Sequence, residues 1–119
     1  MTNSVRPLAI APIKDADVAA VIALWQACGL TRPWNDPAAD IALARRGPNS
    51  TILIGRTDND IVATAMVGHD GHRGWVYYVA TNPDRRAKGF GRAIMDAAED
   101  WLREAGFEVF PVPGPNAAI

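Results

Sequence analysis

The feature that most constrains this fold is a short, cationic, glycine-containing loop at 86–91, with the sequence Arg-Ala-Lys-Gly-Phe-Gly. Aromatic and β-branched residues at 75–81 precede the loop and predict a strand, which a proline-containing segment ends. After the loop, apolar residues recur at helical spacing over 90–105, and Gly106 is the expected stop. The sequence therefore predicts a strand, a basic loop and an amphipathic helix in direct succession.

A loop of this kind suits a ligand that carries phosphate groups. The first N–H groups of a helix lack partners within the helix and lie at the positive end of its dipole, so they can donate to phosphate oxygens. Gly89 and Gly91 allow a pyrophosphate to approach the backbone because neither carries a Cβ, and Arg86 and Lys88 add positive charge. The loop fits neither a Rossmann fingerprint, which needs a third glycine where Ile94 stands, nor a P-loop, in which the lysine follows the last glycine.

The spacing of Arg86, Gly89 and Gly91 resembles the signature of the GNAT superfamily of N-acetyltransferases, which is Arg or Gln, two residues, Gly, one residue, then Gly or Ala. Longer segments resemble its small bacterial YpeA-like branch: 30–37, 68–74 and the strand that contains Tyr77 and Tyr78. In the order of its elements, the resemblance covers nearly the whole chain. It implies one domain over 1–119 with an α/β fold of the α+β kind, in which helices flank a central, mostly antiparallel sheet.

The resemblance also implies a cosubstrate, acetyl-CoA, and transfer of its acetyl group to a primary amine of a small molecule or a protein. The pantetheine arm would lie along the strand that ends near the basic loop, at Val79, Ala80 and Thr81. The remaining expected contacts with the cofactor lie in the loop and near the C-terminus: Arg86, Ala87, Lys88, Gly89, Phe90, Gly91 and Asn116. No metal is expected, because the two histidines of the turn at 69–72 lack the spacing and partners of a metal site.

The acceptor site is less clearly marked in the sequence. Trp34 and Asn35 lie between the first two helices, where GNAT domains often build this site, although Trp34 would equally suit a cap on the core. Tyr78 is the third candidate. Because side chains alternate along a strand, Tyr77 and Tyr78 are expected on opposite faces, so that at most one faces the acceptor and a core position suits each. No catalytic acid or base is identified, and turn formation alone explains the histidines at 69 and 72.

The other predicted elements are a strand at 5–10, a helix that Asp15 or Asp17 caps and Gly29 ends, a helix from Asn35 or Asp36 to about Arg46, hairpin strands at 50–56 and 61–68, and a strand at 107–112. GNAT domains usually continue with a helix that carries a tyrosine, followed by two strands. The resemblance therefore implies a chain that lacks this helix, the two last strands and the tyrosine that commonly protonates the leaving thiolate. Because such a sheet exposes an edge and an apolar face, a homo-oligomer is expected.

Composition limits the other possibilities. A net charge of −1 provides no general attraction to nucleic acid, so no nucleic-acid partner is expected. The sequence shows no leader and no apolar stretch that would span a bilayer, and its single cysteine forms no internal bridge; a cytoplasmic protein without membrane association is expected. Two alternatives remain: a non-catalytic module that binds acetyl-CoA or CoA, and a basic loop that binds another nucleotide or an acidic protein.

Overall fold

A four-stranded antiparallel sheet forms the centre of the computed structural model, which describes residues 8–85 and 89–109. Its strands lie in the order β1, β2, β3, β4 and have these bounds: β1 Ala9–Pro12, β2 Ser50–Thr57, β3 Asp60–His69 and β4 Gly74–Thr81. Three α-helices flank the sheet: α1 Val18–Ala27, α2 Pro37–Ala44 and α3 Phe90–Glu104. The predicted architecture, an antiparallel sheet between helices, is confirmed.

The hairpin between β2 and β3 follows from its turn. Asp58 and Asn59 have φ angles of 53° and 71°, in the left-handed region that Asp and Asn tolerate better than most residues. This two-residue turn pairs Thr57 with Asp60 and thereby sets the register of the hairpin. Both predicted strands are correct to within one residue at each end.

The sheet separates two hydrophobic clusters. On one face, α1 and α2 pack Trp25 and Ile41 against Ile52 and Ile54 of β2, and all four side chains are buried. On the other face, α3 packs a stripe of buried residues against β2, β3 and β4: Ile94, Ala98 and Leu102. Burial of each large apolar side chain contributes about 1.5–3 kcal/mol, so the sheet is held firmly from both sides.

Helix ends agree with the sequence signals in most places. The Asp36 carboxylate accepts a hydrogen bond of 3.1 Å from the Ala39 amide, which caps α2 as predicted. Gly29 follows α1 with a φ of 70°, the left-handed conformation of a helix stop. Asp17 is different: it precedes α1 but accepts hydrogen bonds from the Lys14 amide at 2.9 Å and from Arg56 at 2.7 Å, and makes no capping bond to α1.

The predictions of the first and last strands differ from the structure, and both predicted ranges extend beyond the described residues. The first strand was predicted at 5–10 but runs over Ala9–Pro12; residues up to 7 lie outside the described part. Pro12 is tolerated because β1 is an edge strand of the described sheet. Residues 107–109 are not in a strand, and the rest of the predicted strand at 107–112 lies outside the described residues. Among the described helices, none has both the length and the apolar character needed to cross a membrane.

Candidate functional site

The end of β4 and the start of α3 meet at two glycines. Gly89 precedes α3 with a φ of 82°, and a Cβ on this residue would meet no atom of the described residues within 4 Å. A Cβ on Gly91 would instead lie 3.2 Å from the Thr81 hydroxyl oxygen. The first turn of α3 therefore lies against the last residue of β4. Because the first N–H groups of a helix attract anions, the backbone at Gly89 is a candidate contact for a phosphate group.

The structure describes some of the predicted cofactor residues. Val79, Ala80 and Thr81 form the end of β4, and Gly89, Phe90 and Gly91 form the start of α3. Four further predicted contacts lie outside the described residues and stay predictions: Arg86, Ala87, Lys88 and Asn116.

Two arginines that flank the loop pair with carboxylates. Arg85 contacts Asp60 at 3.1 Å and Arg92 contacts Asp96 at 3.7 Å. Part of their charge is therefore offset within the protein, which leaves Arg86 and Lys88 as the cations on which the phosphate prediction depends.

A β-bulge interrupts β4 in its middle. Met66 of β3 pairs with Tyr77, whereas Thr64 pairs with Ala80, so two residues of β4 lie opposite Ala65 alone. The first of these, Tyr78, has a φ of 52°. The extra residue resets the alternation of side chains, and the rings of Tyr77 and Tyr78 line the same cavity. The prediction that they point to opposite faces is therefore wrong, and Tyr77, which is 61% exposed, is not a core residue.

Side chains of three other elements hold Tyr78 at its carbonyl, its ring and its hydroxyl. The indole N–H of Trp25 donates to the Thr64 hydroxyl at 2.9 Å, and that hydroxyl donates to the Tyr78 carbonyl at 3.0 Å. The Trp25 ring stacks on the Tyr78 ring, with centroids 3.9 Å apart and planes 11° apart. At its far end, the Tyr78 hydroxyl donates to the Asp40 carboxylate at 2.7 Å. Partial burial, together with this hydrogen bond and the charge of Asp40, raises the pKa of Tyr78 to about 12, so the hydroxyl stays protonated at neutral pH.

A cavity of about 260 Å³ opens where α2 faces the bulged strand. Its lining comes from α2 and three strands: Asp40, Leu43, Ala44, Ser50, Met66, Trp75, Tyr77 and Tyr78. Of the three predicted acceptor residues, Tyr78 lies in this lining, whereas Trp34 and Asn35 do not. Trp34 is 79% exposed, so in this structure it does not cap the core.

The turn after β3 has a structural explanation. The His69 ring packs 4.6 Å from the Phe107 ring, and its Nδ1 accepts a hydrogen bond from the Gly71 amide. The Asp70 carboxylate accepts hydrogen bonds from the His72 and Arg73 amides, which lower its pKa. The side chains that form this turn therefore stabilise the turn itself. Within residues 8–85 and 89–109, no group of three or more His, Cys, Asp or Glu residues is placed to hold a metal ion.

Sequence reasoning missed Asp40 and Thr64. Asp40 shares a face of α2 with Leu43 and Ala44, at positions i, i+3 and i+4, and an acidic residue on that face was a usable signal. Thr64 reads as an ordinary strand residue, since its partners lie 39 and 14 residues away. No local pattern marks it.

Comparisons with known proteins show the family of the chain. Residues 18–117 match the Acetyltransferase (GNAT) family, and the chain belongs to that family. It is 39% identical over 93 residues to Acetyltransferase ECA0875 of Pectobacterium atrosepticum; the match covers 78% of this chain and 66% of that relative. The chain thus spans about two thirds of this curated relative's length.

Solved structures share the fold at low identity. The ribosomal-protein-S18-alanine N-acetyltransferase of Escherichia coli superposes with a TM-score of 0.68 at 17% identity, covering 84% of this chain and 62% of that one. A predicted acetyltransferase of Clostridium acetobutylicum, solved with acetyl-CoA, gives a TM-score of 0.69 at 13% identity, covering 86% and 77%. These likenesses support the fold and carry no substrate to this chain.

Proposed function

We propose that this protein transfers an acetyl group from acetyl-CoA to a primary amine. The observation that carries the proposal is the contact between the end of β4 and the start of α3. Thr81 at the edge of the described sheet lies beside Gly91, and no atom of the described residues would lie within 4 Å of a Cβ at Gly89. This contact supports the proposal that the pantetheine arm pairs with the edge of β4 and that the pyrophosphate binds at the adjacent helix N-terminus. Family membership supports the same assignment.

In this arrangement the pantetheine arm pairs with β4 at Val79, Ala80 and Thr81. The pyrophosphate lies over the loop and the first turn of α3, where Arg86, Lys88 and the N–H groups from Gly89 to Gly91 neutralise and bind it. Asn116 is a further proposed cofactor contact, as are Ala87 and Phe90. Acceptor contacts are proposed for Tyr78, which lines the cavity, and for Trp34 and Asn35, which lie outside its lining.

The reaction is a nucleophilic acyl transfer. The neutral amine nitrogen attacks the thioester carbonyl, a C–N bond forms and the C–S bond breaks. The nitrogen loses a proton, and the CoA thiolate leaves and is protonated from water or an acid. Much of the acceleration comes from holding amine and thioester together, because a positioned pair avoids the entropy loss of a bimolecular encounter. N–H groups of the edge strand would steady the carbonyl oxygen as negative charge develops.

Finer features belong to the same proposal. The enzyme would belong to the YpeA-like branch, act in the cytoplasm and form a homo-oligomer, and its acceptor would be a small-molecule or protein amine. Sedimentation velocity over a range of protein concentrations tests the oligomer. A compact monomer at high concentration would contradict it.

Two glycines at opposite ends of α3 provide a matched test of the cofactor site. Gly89 and Gly106 both have positive φ angles, 82° and 100°, and among the described residues no atom would lie within 4 Å of a Cβ on either, so an alanine strains both backbones alike. They lie at opposite ends of a 15-residue helix, which is about 22 Å long. We expect Gly89→Ala to weaken CoA binding at least tenfold in isothermal titration calorimetry, and Gly106→Ala to leave it unchanged at a similar loss of stability.

Acetyl transfer is measured by thiol release from acetyl-CoA over a panel of amines. Equal CoA affinity in both glycine variants would show that the site is misplaced. Arg86→Ala should weaken CoA far more than pantetheine, which has no phosphate. Equal losses for these two ligands would point to misfolding instead. CoA binding without thiol release for any amine would favour a non-catalytic CoA-binding module.

A further inference from the structure

The cavity between α2 and β4 contains a carboxylate without a cationic partner in the described chain. Asp40 is the one charged residue among the described residues that line it. None of the cationic side chains in residues 8–85 and 89–109 forms a salt bridge with it. Tyr78 donates one hydrogen bond to its Oδ2 and so fixes the direction of the carboxylate. Because Asp40 is half-buried, a cation that enters the cavity meets an oriented and partly desolvated negative charge.

The rest of the cavity is apolar and aromatic. Leu43 and Tyr77 are each 61% exposed at its rim, and the Trp75 ring lies 5.4 Å from the Tyr77 ring. The one serine in the lining, Ser50, already donates its hydroxyl to the Ala44 carbonyl at 2.8 Å. A volume of about 260 Å³ lies just below the usual range for small-molecule sites, so it suits a compact ligand. Aromatic faces also attract cations.

We infer that the acceptor is a small primary amine carried on an aromatic or compact apolar group. Its ammonium would contact Asp40, and its apolar body would lie against Trp75 and Tyr77. This inference rests on the proposed function and narrows it to one substrate class. An α-amino acid fits poorly, because its carboxylate would lie near Asp40 without a cation in the described lining to bind it. A long polyamine fits poorly as well, since one carboxylate and apolar walls leave its other charges unpaired.

The position of Asp40 also suits delivery of the amine. Its partner Tyr78 is adjacent in sequence to Val79, the first residue proposed to pair with the pantetheine arm. The Tyr78 side chain thus links an amine held at Asp40 to the residue that precedes the proposed pantetheine segment. Asp40 is assigned here to binding of the charged amine.

Ligand pairs that differ in one group test the inference directly. Phenethylamine and 2-phenylethanol share an aromatic body, but only the amine carries an ammonium. We expect isothermal titration calorimetry to show that the protein binds the amine at least tenfold more tightly than the alcohol. A charge-assisted hydrogen bond corresponds to about 10- to 150-fold in affinity. Phenylalanine, which adds a carboxylate beside the same amine, should bind more weakly than phenethylamine.

Two variants in and next to α2 distinguish the effect of the Asp40 charge from the effect of removing any nearby negative charge. Asp40→Asn keeps an acceptor for the Tyr78 hydroxyl but removes the charge, so the preference for amine over alcohol should disappear. Asp36→Asn removes a negative charge one turn earlier and retains the cap, because Asn caps helices as well as Asp. It should leave the preference intact. The alcohol should bind all three proteins equally if they are folded alike.

The outcomes distinguish this inference from the proposed function. CoA is titrated into the same samples. If CoA binds but phenethylamine is not preferred over its alcohol, or if spermidine or a lysine peptide binds more tightly, the inference is wrong and the acetyltransferase proposal stands. If phenethylamine is preferred and CoA fails to bind, the proposed function is wrong although the cavity does select amines.

Discussion

Thr64→Val is the most informative single substitution in this structure, because it removes one buried hydroxyl that serves two partners. Thr64 is fully buried; it accepts from the Trp25 indole at 2.9 Å and donates to the Tyr78 carbonyl at 3.0 Å. Valine has nearly the same shape but can do neither. The substitution therefore leaves a buried N–H donor without its partner and weakens the hold on the bulge at Tyr78.

The expected cost follows from these two contacts. Each buried polar group left without a partner costs about 1–3 kcal/mol, and the added methyl group returns about 0.8 kcal/mol. We therefore expect Thr64→Val to lower the free energy of unfolding by about 1–5 kcal/mol. Thr64→Ser keeps the hydroxyl and loses one buried methyl group, which costs about 0.5–1.5 kcal/mol. The polar variant should thus be the more stable of the two.

Urea unfolding, monitored by tryptophan fluorescence, measures the free energy of unfolding of both variants. Hydrogen exchange of the Trp25 indole N–H, measured by NMR, adds a local readout. That proton should exchange faster in Thr64→Val and stay protected in Thr64→Ser. A Thr64→Val protein as stable as the parent, or more stable than Thr64→Ser, would refute the claim that this hydroxyl holds the bulge.

Two further predictions concern stability. In Gly68→Ala, the new Cβ would lie 2.3 Å from the Trp75 ring, so we expect thermal unfolding to show a loss of stability of about 1–3 kcal/mol. A Cβ on Gly47 would meet no described atom within 4 Å, so the stability of Gly47→Ala should stay within about 0.5 kcal/mol of the parent. Similar losses in the two variants would contradict the packing argument. The pKa of Asp17 is lowered, first by a backbone N–H and then by Arg56. A carboxyl whose pKa is lowered in the folded state stabilises the protein at pH values above its ordinary pKa. This stabilisation is lost as the pH falls through the pKa of the folded state. The stability difference between the parent and Asp17→Asn should therefore shrink between pH 6 and pH 2, and a constant difference in acid titrations would contradict it.

Local signals in the sequence were sufficient for most elements. Asp36 before a proline predicted the start of α2, and Gly29 predicted the end of α1, because caps depend on a few adjacent residues. The hairpin followed from its turn. The strand before the basic loop and the helix after it were also predicted correctly, since each has a strong local pattern.

The β-bulge in β4 could not be predicted from local sequence signals. Strict alternation placed Tyr77 and Tyr78 on opposite faces, and only the register with β3 shows the extra residue. Thr64 lies at this register shift, and its side-chain hydrogen bond to the Tyr78 carbonyl joins the two strands. Likewise, the contact of Asp40 with Tyr78 spans 38 residues and exists only because α2 packs over β4. Contacts of this kind are set by tertiary packing, which a local pattern does not encode.

The bulge also connects the two halves of the proposed site. A non-glycine residue in the left-handed region costs about 1–3 kcal/mol, and Tyr78 adopts it with a φ of 52°. The stacked ring of Trp25 contributes about 0.5–1.5 kcal/mol and the Thr64 hydrogen bond about 1 kcal/mol, so together they offset most of that strain. The residue held in this way also orients the Asp40 carboxylate on one side and precedes the proposed pantetheine strand on the other. Loss of the Thr64 hydroxyl should therefore weaken phenethylamine and CoA together, whereas loss of the Asp40 charge should weaken the amine alone.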